Sequence, residues 1–270
     1  MTGARLSKEE QSQVASYLEQ NLETPVAIEV WTRRESPLIR TDRDPCTHCE
    51  DVVAVARQLA SLHPGLSVTL YDLDRHAQRA QEAGIERPPV TVLRGVQGCE
   101  FRFTGLWLGL LFPAMLDAIA LLSLGAAHVA EETWEKLASL QTDVTLEVMG
   151  APYDAYSAHM LRLAAAFAAE SKHVRASFIQ IAEFPMLASA RAVDEIPVVL
   201  IDNRRHLGVW DEPELAEQIR RTASGDDGSV SRETIASTPF YTDDEIARLA
   251  AESGQEPPPQ TASGLYVPGR

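Results

Sequence analysis

The sequence predicts an α/β protein made of two tandem copies of one domain, each with a mixed central sheet flanked by helices. Segments with strand patterns and helix patterns alternate along the chain. The order found before residue 125 recurs after residue 126, as expected for an internal repeat. A strand, a crossover helix and a second strand in succession imply parallel pairing, and a hairpin adds antiparallel strands. A chain of 270 residues is long enough to bury two such cores.

The first copy is predicted to span residues 1–125. Ser7 and Glu10 have the spacing of a capping box and start an N-terminal helix. The elements that follow are, in order, a strand over 25–31, a helix from Cys46 to 62, a strand over 66–74, a short helix over 75–85 and a hairpin around Gln97 and Gly98.

A long apolar segment, residues 105–130, closes the first copy. Its length alone also permits a membrane span. However, Pro113 and Asp117 interrupt it near its middle, and its flanks lack basic anchors. We therefore expect a buried helix packed between the two halves of the protein.

The second copy is predicted to span residues 126–222 and has lost its thiols. Its elements are a helix over 131–140, strands over 143–150, 176–184 and 195–203, a long helix over 155–170 and a last helix over 212–221. Pro89, Glu29 and Gly105 of the first copy correspond to Pro197, Glu147 and Gly208 of the second. Where the first copy has Cys46-Thr47-His48-Cys49, the second has Ala151-Pro152-Tyr153-Asp154, so it cannot carry dithiol chemistry.

Residues 223–270 have the composition of an acidic, flexible tail. They are rich in Gly, Ser, Pro and acidic residues. Thr242 and Glu245 again have capping-box spacing, and they predict a short helix over 242–253. We expect this helix either to dock on the body or to remain solvated.

The charge of the chain limits the classes of partner. A net charge of −15 and a pI near 4.9 argue against nucleic acid and against an anionic membrane, because both require clustered lysines and arginines.

Three cysteines cannot form a disulfide framework, and the N-terminal segment is polar. The sequence therefore predicts a cytoplasmic protein.

Two of the three cysteines, Cys46 and Cys49, form a CxxC motif, and Cys99 is the third. Such a pair can be half of a zinc site, with Cys99 and a histidine as further ligands. It can also be an inert structural pair, or a redox centre that works by thiol–disulfide exchange. For Cys99 we expect a packed free thiol.

Several motifs together resemble the tandem thioredoxin-fold protein disulfide oxidoreductases, also called glutaredoxin-like. They are the CxxC motif at the predicted start of a helix, "ERPPVTVL", "FRFTGLWLG", "IAEFP" and "EIPVVLI". The resemblance covers about residues 20–222, and the Ala151–Asp154 segment resembles a degenerate second active site. It implies a thiol–disulfide oxidoreductase whose partners are protein disulfides and dithiols, with a thioredoxin-reductase-like flavoprotein as a possible reductant. It implies no cofactor and no metal.

The resemblance assigns roles to the residues of the motif. Cys46 is the attacking thiol, whose pKa we expect to fall because it lies at a helix N-terminus. Cys49, one turn further on, is the resolving thiol that cleaves the mixed disulfide. His48 adds a positive charge when it is protonated, and Thr47 is assigned to substrate binding.

Three further residues are expected around the motif. Glu29 corresponds to a buried acid that relays the proton of the resolving cysteine. Pro88 and Pro89 are assigned to substrate binding, and one of them is the cis-proline beside the active site. If Pro89 is cis, the residue before it is Pro88, which offers a bound peptide no N–H; if Pro88 is cis, Arg87 takes that position.

Two other functions remain open from the sequence. The chain can be a non-catalytic interaction module that uses the same scaffold. It can also be an electron-relay domain that serves a peroxidase or a flavoprotein reductase.

Overall fold

The computed structural model describes residues 5–34, 46–232, 235–242, 245, 246 and 248. Two 3₁₀ turns, Val96–Gly98 and Ile181–Glu183, lie between the regular elements. In chain order these elements are α1 (Lys8–Asn21), β1 (Val26–Thr32), α2 (Cys49–Leu62), β2 (Leu66–Asp72), α3 (Ala77–Glu82), β3 (Val90–Arg94), β4 (Glu100–Thr104), α4 (Leu111–Leu124), α5 (Glu131–Ala138), β5 (Val144–Gly150), α6 (Ala155–Glu170), β6 (Val174–Gln180), α7 (Pro185–Ala190), β7 (Glu195–Ile196), β8 (Val198–Ile201), β9 (Arg204–Leu207), α8 (Glu212–Ala223) and β10 (Thr238–Pro239).

Within the described residues, one continuous mixed sheet runs through both halves of the chain. Its strand order is β2-β1-β3-β4-β6-β5-β8-β9. In each half a parallel pair, β1–β2 or β5–β6, sits next to an antiparallel pair, β1–β3 or β5–β8. The halves join where β4 pairs in parallel with β6, from Phe101 opposite Ala176 to Thr104 opposite Ile179. The mixed α/β class is confirmed; the domain boundaries at 125 and 222 stay predictions.

The apolar segment over 105–130 forms a buried helix, as the sequence predicts. Its helical part is α4, which packs against α6 of the second half. Pro113 lies in the first turn of α4, where a proline breaks no helical hydrogen bond. Asp117 accepts hydrogen bonds from the Tyr17 hydroxyl at 2.6 Å and from Arg162 Nε at 2.5 Å. Among the described residues, no helix has the length and apolar character to cross a bilayer.

The three positions that pair in the sequence lie in equivalent surroundings. The peptide bonds before Pro89 and Pro197 are both cis. The Gly105 N–H donates to the Pro89 carbonyl at 2.9 Å, and the Gly208 N–H donates to the Pro197 carbonyl at 2.8 Å. Glu29 and Glu147 each form an ion pair with an arginine. These contacts make the two halves structural counterparts around the two proline sites.

Among the bounds that differ from the prediction are the start of α2 and the end of β6. The helix predicted from Cys46 begins at Cys49, because the first helical hydrogen bond runs from the Val52 N–H to the His48 carbonyl at 3.0 Å. The strand predicted over 176–184 is β6, which ends at Gln180. There the Gln180 side chain accepts the Glu183 N–H at 2.9 Å and caps a 3₁₀ turn.

Part of the predicted tail packs against the body. Val230 packs against the main core, and β10 pairs with β7. The Thr242–Glu245 capping box is present, with the Thr242 N–H donating to Glu245 Oε2 at 2.8 Å. Residues 245, 246 and 248 are helical; residues 243, 244, 247 and 249–253 of the helix predicted over 242–253 lie outside the described residues.

Candidate active site

Cys46 and Cys49 form a disulfide at the start of α2. Their Sγ atoms are 2.06 Å apart and their Cα atoms 5.5 Å apart. Cys46 lies in the turn before the helix, His48 is the N-cap and Cys49 is the first helical residue. Both cysteines are 5% exposed. The two sulfurs therefore lie just below the surface, and in the oxidised protein they are covalently bonded to each other.

The backbone around the pair favours negative charge on sulfur. The Arg33 N–H, just beyond the end of β1, donates to Cys49 Sγ at 3.2 Å. Cys49 also begins a helix whose first N–H groups have no partner within the helix and carry the positive end of its dipole. The sequence predicts this stabilisation for Cys46. The structure instead places Cys46 before the helix and directs the Arg33 donor to Cys49.

His48 has a carboxylate partner that sequence reasoning missed. His48 Nδ1 lies 3.4 Å from Asp51 Oδ2, three residues further along the chain. Both side chains are 27% exposed. A carboxylate on the first turn of α2 therefore lies next to the imidazole of the motif.

A cavity of about 680 Å³ opens beside the disulfide. Thr47 and His48, which separate the two cysteines, line it together with Pro88 and Pro89. The structure thus brings four of the predicted site residues to one surface. Arg33 also lines this side of the cavity.

The second half of the chain supplies the opposite wall of the cavity. This wall is largely apolar and consists of Ala182, Glu183, Phe184, Pro185, Met186, Leu187 and Ala190. Met186 is 75% exposed, which is unusual for so large an apolar side chain. Glu183 Oε1 accepts the Leu106 N–H at 2.6 Å and so ties this wall to the first half. The "IAEFP" motif was the only mark of this wall in the sequence, and it indicated no binding role.

The structure decides between the two prolines. The Pro88–Pro89 peptide bond is cis, so Pro89 is the cis residue and Pro88 precedes it. Both prolines are buried yet face the cavity. At the equivalent place in the second half, the residue before the cis-proline is Ile196, which has an N–H. A peptide bound at the first site can therefore donate to the Pro88 carbonyl but receives no hydrogen bond from that residue.

Glu29 is buried, at 9% exposed, and faces two arginines. Its carboxylate lies 3.1 Å from Arg94 Nε and 3.5 Å from the Arg79 guanidinium. Side chains alternate along β1, so Glu29 shares its face with Trp31, whereas Val30 shares the opposite face and the core cluster of α2. The proton-relay role of Glu29 stays a prediction; the contacts of its carboxylate are those of an ion pair.

Cys99 lies apart from the disulfide and is 8% exposed. Its thiol donates to the Ala169 carbonyl at 3.4 Å, and burial raises its pKa. Within the part of the chain that the structure describes, no three His, Cys, Asp or Glu side chains are grouped so as to hold a metal ion. The arrangement around Cys99 is that of a packed thiol.

The thiol-free counterpart of the motif has the same backbone turn. The Asp154 N–H bonds the Ala151 carbonyl at 3.2 Å, as the Cys49 N–H bonds the Cys46 carbonyl at 3.4 Å. Asp154 is 3% exposed and caps α6 by accepting the Ser157 N–H at 2.7 Å. The residue that corresponds to Cys49 therefore serves as a helix cap in this half.

Solved structures share this architecture. A protein disulfide oxidoreductase from Aeropyrum pernix K1 aligns with a TM-score of 0.72 and 22% identity, over 85% of this chain and 97% of that one. The NTD_N/C domain of the alkylhydroperoxide reductase AhpF from Enterococcus faecalis aligns with a TM-score of 0.69 and 16% identity, over 80% of this chain and 100% of that one. Both are thioredoxin-fold proteins. The chain has the thioredoxin fold.

A third structure, Sso1120 from Sulfolobus solfataricus, aligns with a TM-score of 0.52 and 9% identity, over 72% of this chain and 96% of that one. No family model and no curated protein matches the chain. The structural similarity to these solved proteins therefore extends over most of this chain. The predicted resemblance to disulfide oxidoreductases is confirmed at the level of the fold.

Proposed function

We propose that this protein is a thiol–disulfide oxidoreductase that exchanges electrons between the Cys46–Cys49 pair and protein substrates. One observation carries the proposal: a disulfide at the start of a helix, next to an open cavity that both halves of the chain line. Thioredoxin-fold structures that align over most of the chain support it.

The contacts of the two sulfurs suggest the order of the bond changes. A substrate thiolate attacks Cys46 Sγ, the Cys46–Cys49 bond breaks, and Cys49 leaves as a thiolate. The Arg33 N–H and the start of α2 stabilise that leaving group. The second thiolate of the substrate then attacks the substrate sulfur of the mixed disulfide. This step forms the substrate disulfide and releases Cys46 as a thiolate. Two electrons pass from the substrate to the protein, and the reverse sequence reduces a substrate.

The cavity supplies the place for the substrate. Thr47, His48 and Pro88 line it on the first half, and Phe184 and Met186 provide apolar surface from the second half. We expect it to accept an extended peptide that has an apolar side chain near its cysteine. Burial of such a side chain contributes about 1.5–3 kcal/mol to binding before the cost of ordering the peptide.

An electron-relay role is the second candidate function. The observation that favours it is the alignment with the whole NTD_N/C domain of an alkylhydroperoxide reductase. In this role the Cys46–Cys49 pair receives electrons from a thioredoxin-reductase-like flavoprotein and passes them to a peroxidase. The cytosol is the compartment we propose, because so few cysteines suit a reducing environment.

Serine substitutions at the three cysteines test the exchange. We expect Cys46→Ser to abolish insulin reduction with dithiothreitol as reductant. In samples without dithiothreitol, Cys49→Ser should accumulate mixed disulfides, visible on non-reducing gels and identified by mass spectrometry, since the intramolecular thiol that resolves them is gone. Cys99→Ser is the matched control and should retain wild-type turnover. Equal loss in the first two variants without trapped substrate would contradict the assigned roles.

A further inference from the structure

A segment of the C-terminal part of the chain lies across the thiol-free site. This segment, residues 236–242, crosses beside Gly208 and continues along β7. Thr238 and Pro239 form an antiparallel bridge with Ile196 and Glu195. The segment thus runs as an added strand beside the residue that precedes cis-Pro197.

Side chains of the thiol-free motif hold this segment. Thr238 Oγ1 donates to Asp154 Oδ1 at 2.8 Å. The Tyr153 hydroxyl accepts the Tyr241 N–H at 2.8 Å and donates to the Tyr241 carbonyl at 3.1 Å. Tyr153 and Asp154 occupy the positions of His48 and Cys49, so the motif that carries the disulfide in one half binds backbone and hydroxyl groups in the other.

Backbone and apolar contacts extend the same interface. The Phe240 N–H donates to the Asp194 carbonyl at 2.9 Å, and the Val209 N–H donates to the Ala236 carbonyl at 2.9 Å. The Phe240 ring packs against the buried apolar cluster that includes Ile196 and Val198. The segment therefore makes the three kinds of contact that a bound peptide makes: strand pairing, a side-chain hydrogen bond and a filled apolar site.

Gly208 is shaped for this approach. Its φ is +85°, and a Cβ added there would lie 2.7 Å from the Ala236 carbonyl oxygen. At the equivalent position of the first half, a Cβ on Gly105 would instead lie 2.8 Å from Gln180 Cβ. A residue of the other half of the body thus lies close to Gly105, whereas the segment lies close to Gly208.

The equivalence of the two halves identifies what the segment covers. At the first site, Thr47, His48, Arg87 and Pro88 line the open cavity. At the second site, Tyr153 corresponds to His48, and Glu195 and Ile196 correspond to Arg87 and Pro88. All three of these counterparts contact the segment. The surface left open at one site is occupied at the other.

We propose that the thiol-free site is a peptide-binding site and that residues 236–242 are its ligand, bound within the same chain. The ligand that it takes is an extended peptide with a hydroxyl side chain opposite Asp154 and an aromatic side chain two residues later. Thr238 and Phe240 meet this requirement. This proposal does not depend on redox activity at Cys46–Cys49.

Competition with a synthetic peptide tests the proposal in the full-length chain. The probe is a fluorescein-labelled peptide with the sequence of residues 235–242, IASTPFYT. The resident segment competes at an effective concentration of about millimolar, so the wild type should bind the probe weakly. The double variant Thr238→Ala/Phe240→Ala weakens the resident segment and leaves the site intact, so it should bind the probe at least tenfold more tightly. Ser231→Ala, exposed and outside the segment, is the control and should match the wild type.

Two further measurements complete the test. Adding Tyr153→Phe to the double variant should weaken probe binding at least threefold, because the hydroxyl that holds the peptide backbone is lost. In the wild type, millimolar unlabelled peptide should speed hydrogen exchange at the Phe240 and Tyr241 amides at least threefold, and a scrambled peptide should not. The proposal is overturned if the wild type and the double variant bind the probe equally or not at all. It is also overturned if the unlabelled peptide leaves hydrogen exchange in the wild type unchanged. The exchange measurement needs only the wild type, so it tests the proposal even if the double variant does not fold.

Discussion

Asp154→Ala measures what the carboxylate at the position corresponding to Cys49 contributes to the second half. Asp154 is buried and accepts three hydrogen bonds: from the Ser157 N–H at 2.7 Å, the Ser157 hydroxyl at 2.5 Å and the Thr238 hydroxyl at 2.8 Å. Loss of an N-cap costs about 1 kcal/mol. Loss of a hydrogen bond to a charged acceptor costs about 1.5 kcal/mol, at the lower end of its range. We therefore expect the free energy of unfolding to fall by about 2–3 kcal/mol, or Tm by about 4–9 °C.

Urea unfolding followed by circular dichroism, together with calorimetry, measures this loss. Asp154→Asn is the matched control, because asparagine caps helices about as well as aspartate and keeps an acceptor for Thr238. We expect it to cost less than about 1 kcal/mol. If Asp154→Ala stays within about 0.5 kcal/mol of the wild type, or if the asparagine variant is equally unstable, the assignment of Asp154 as cap and anchor is refuted.

Two other predictions concern buried groups. In the folded protein with the disulfide reduced, iodoacetamide should label Cys46 and Cys49 faster than Cys99, because the start of α2 favours thiolate at the pair whereas burial raises the pKa of Cys99, whose thiol bonds the Ala169 carbonyl. Equally rapid native labelling of Cys99 would contradict this. Burial and the charges of Arg232 and Arg204 lower the pKa of His206 below its usual 6.5. As the pH falls, His206 is therefore protonated in the unfolded chain before it is protonated in the folded protein. The free energy of unfolding should then decrease as the pH falls below 6.5. His206→Gln should flatten this slope in urea titrations at successive pH values, and an unchanged slope would count against it.

Local patterns sufficed to predict most of the fold. The capping box at Ser7, the strand and helix patterns and the recurrence of a proline before a strand all depend on short-range rules of sequence, whereas the cis bond in the first half was implied by the family resemblance. The continuous sheet could not be predicted in this way. It depends on which edge strand of one copy meets which edge strand of the other, and β4 and β6 lie 70 residues apart in the sequence with no marker of their pairing.

The candidate site was predicted in part. The residues around the sulfurs, Thr47, His48, Pro88 and Pro89, come together as the motifs indicate. The apolar wall with Met186 was missed, because it comes to the cavity only through the packing of one half on the other. For Glu29, the sequence shows a strand position but gives no sign of the arginines that pair with it.

The covering of the second site had the least signal in the sequence. Residues 236–242 lie in a segment with the composition of a flexible tail, and composition does not report a short bound stretch. Thr238, Phe240 and Tyr241 each find a partner only because the second half presents a bridge strand, a carboxylate and a hydroxyl in the right places.

Redox titration of the Cys46–Cys49 pair tests the central claim most directly. The protein is equilibrated in glutathione buffers of fixed potential, its free thiols are alkylated, and the oxidised fraction is measured by mass spectrometry. We expect the two cysteines to convert together as one two-electron couple, with about 30 mV per tenfold change in the ratio and a midpoint between about −270 and −180 mV. A pair that never forms a disulfide at any potential, or two cysteines that react independently, would contradict the account.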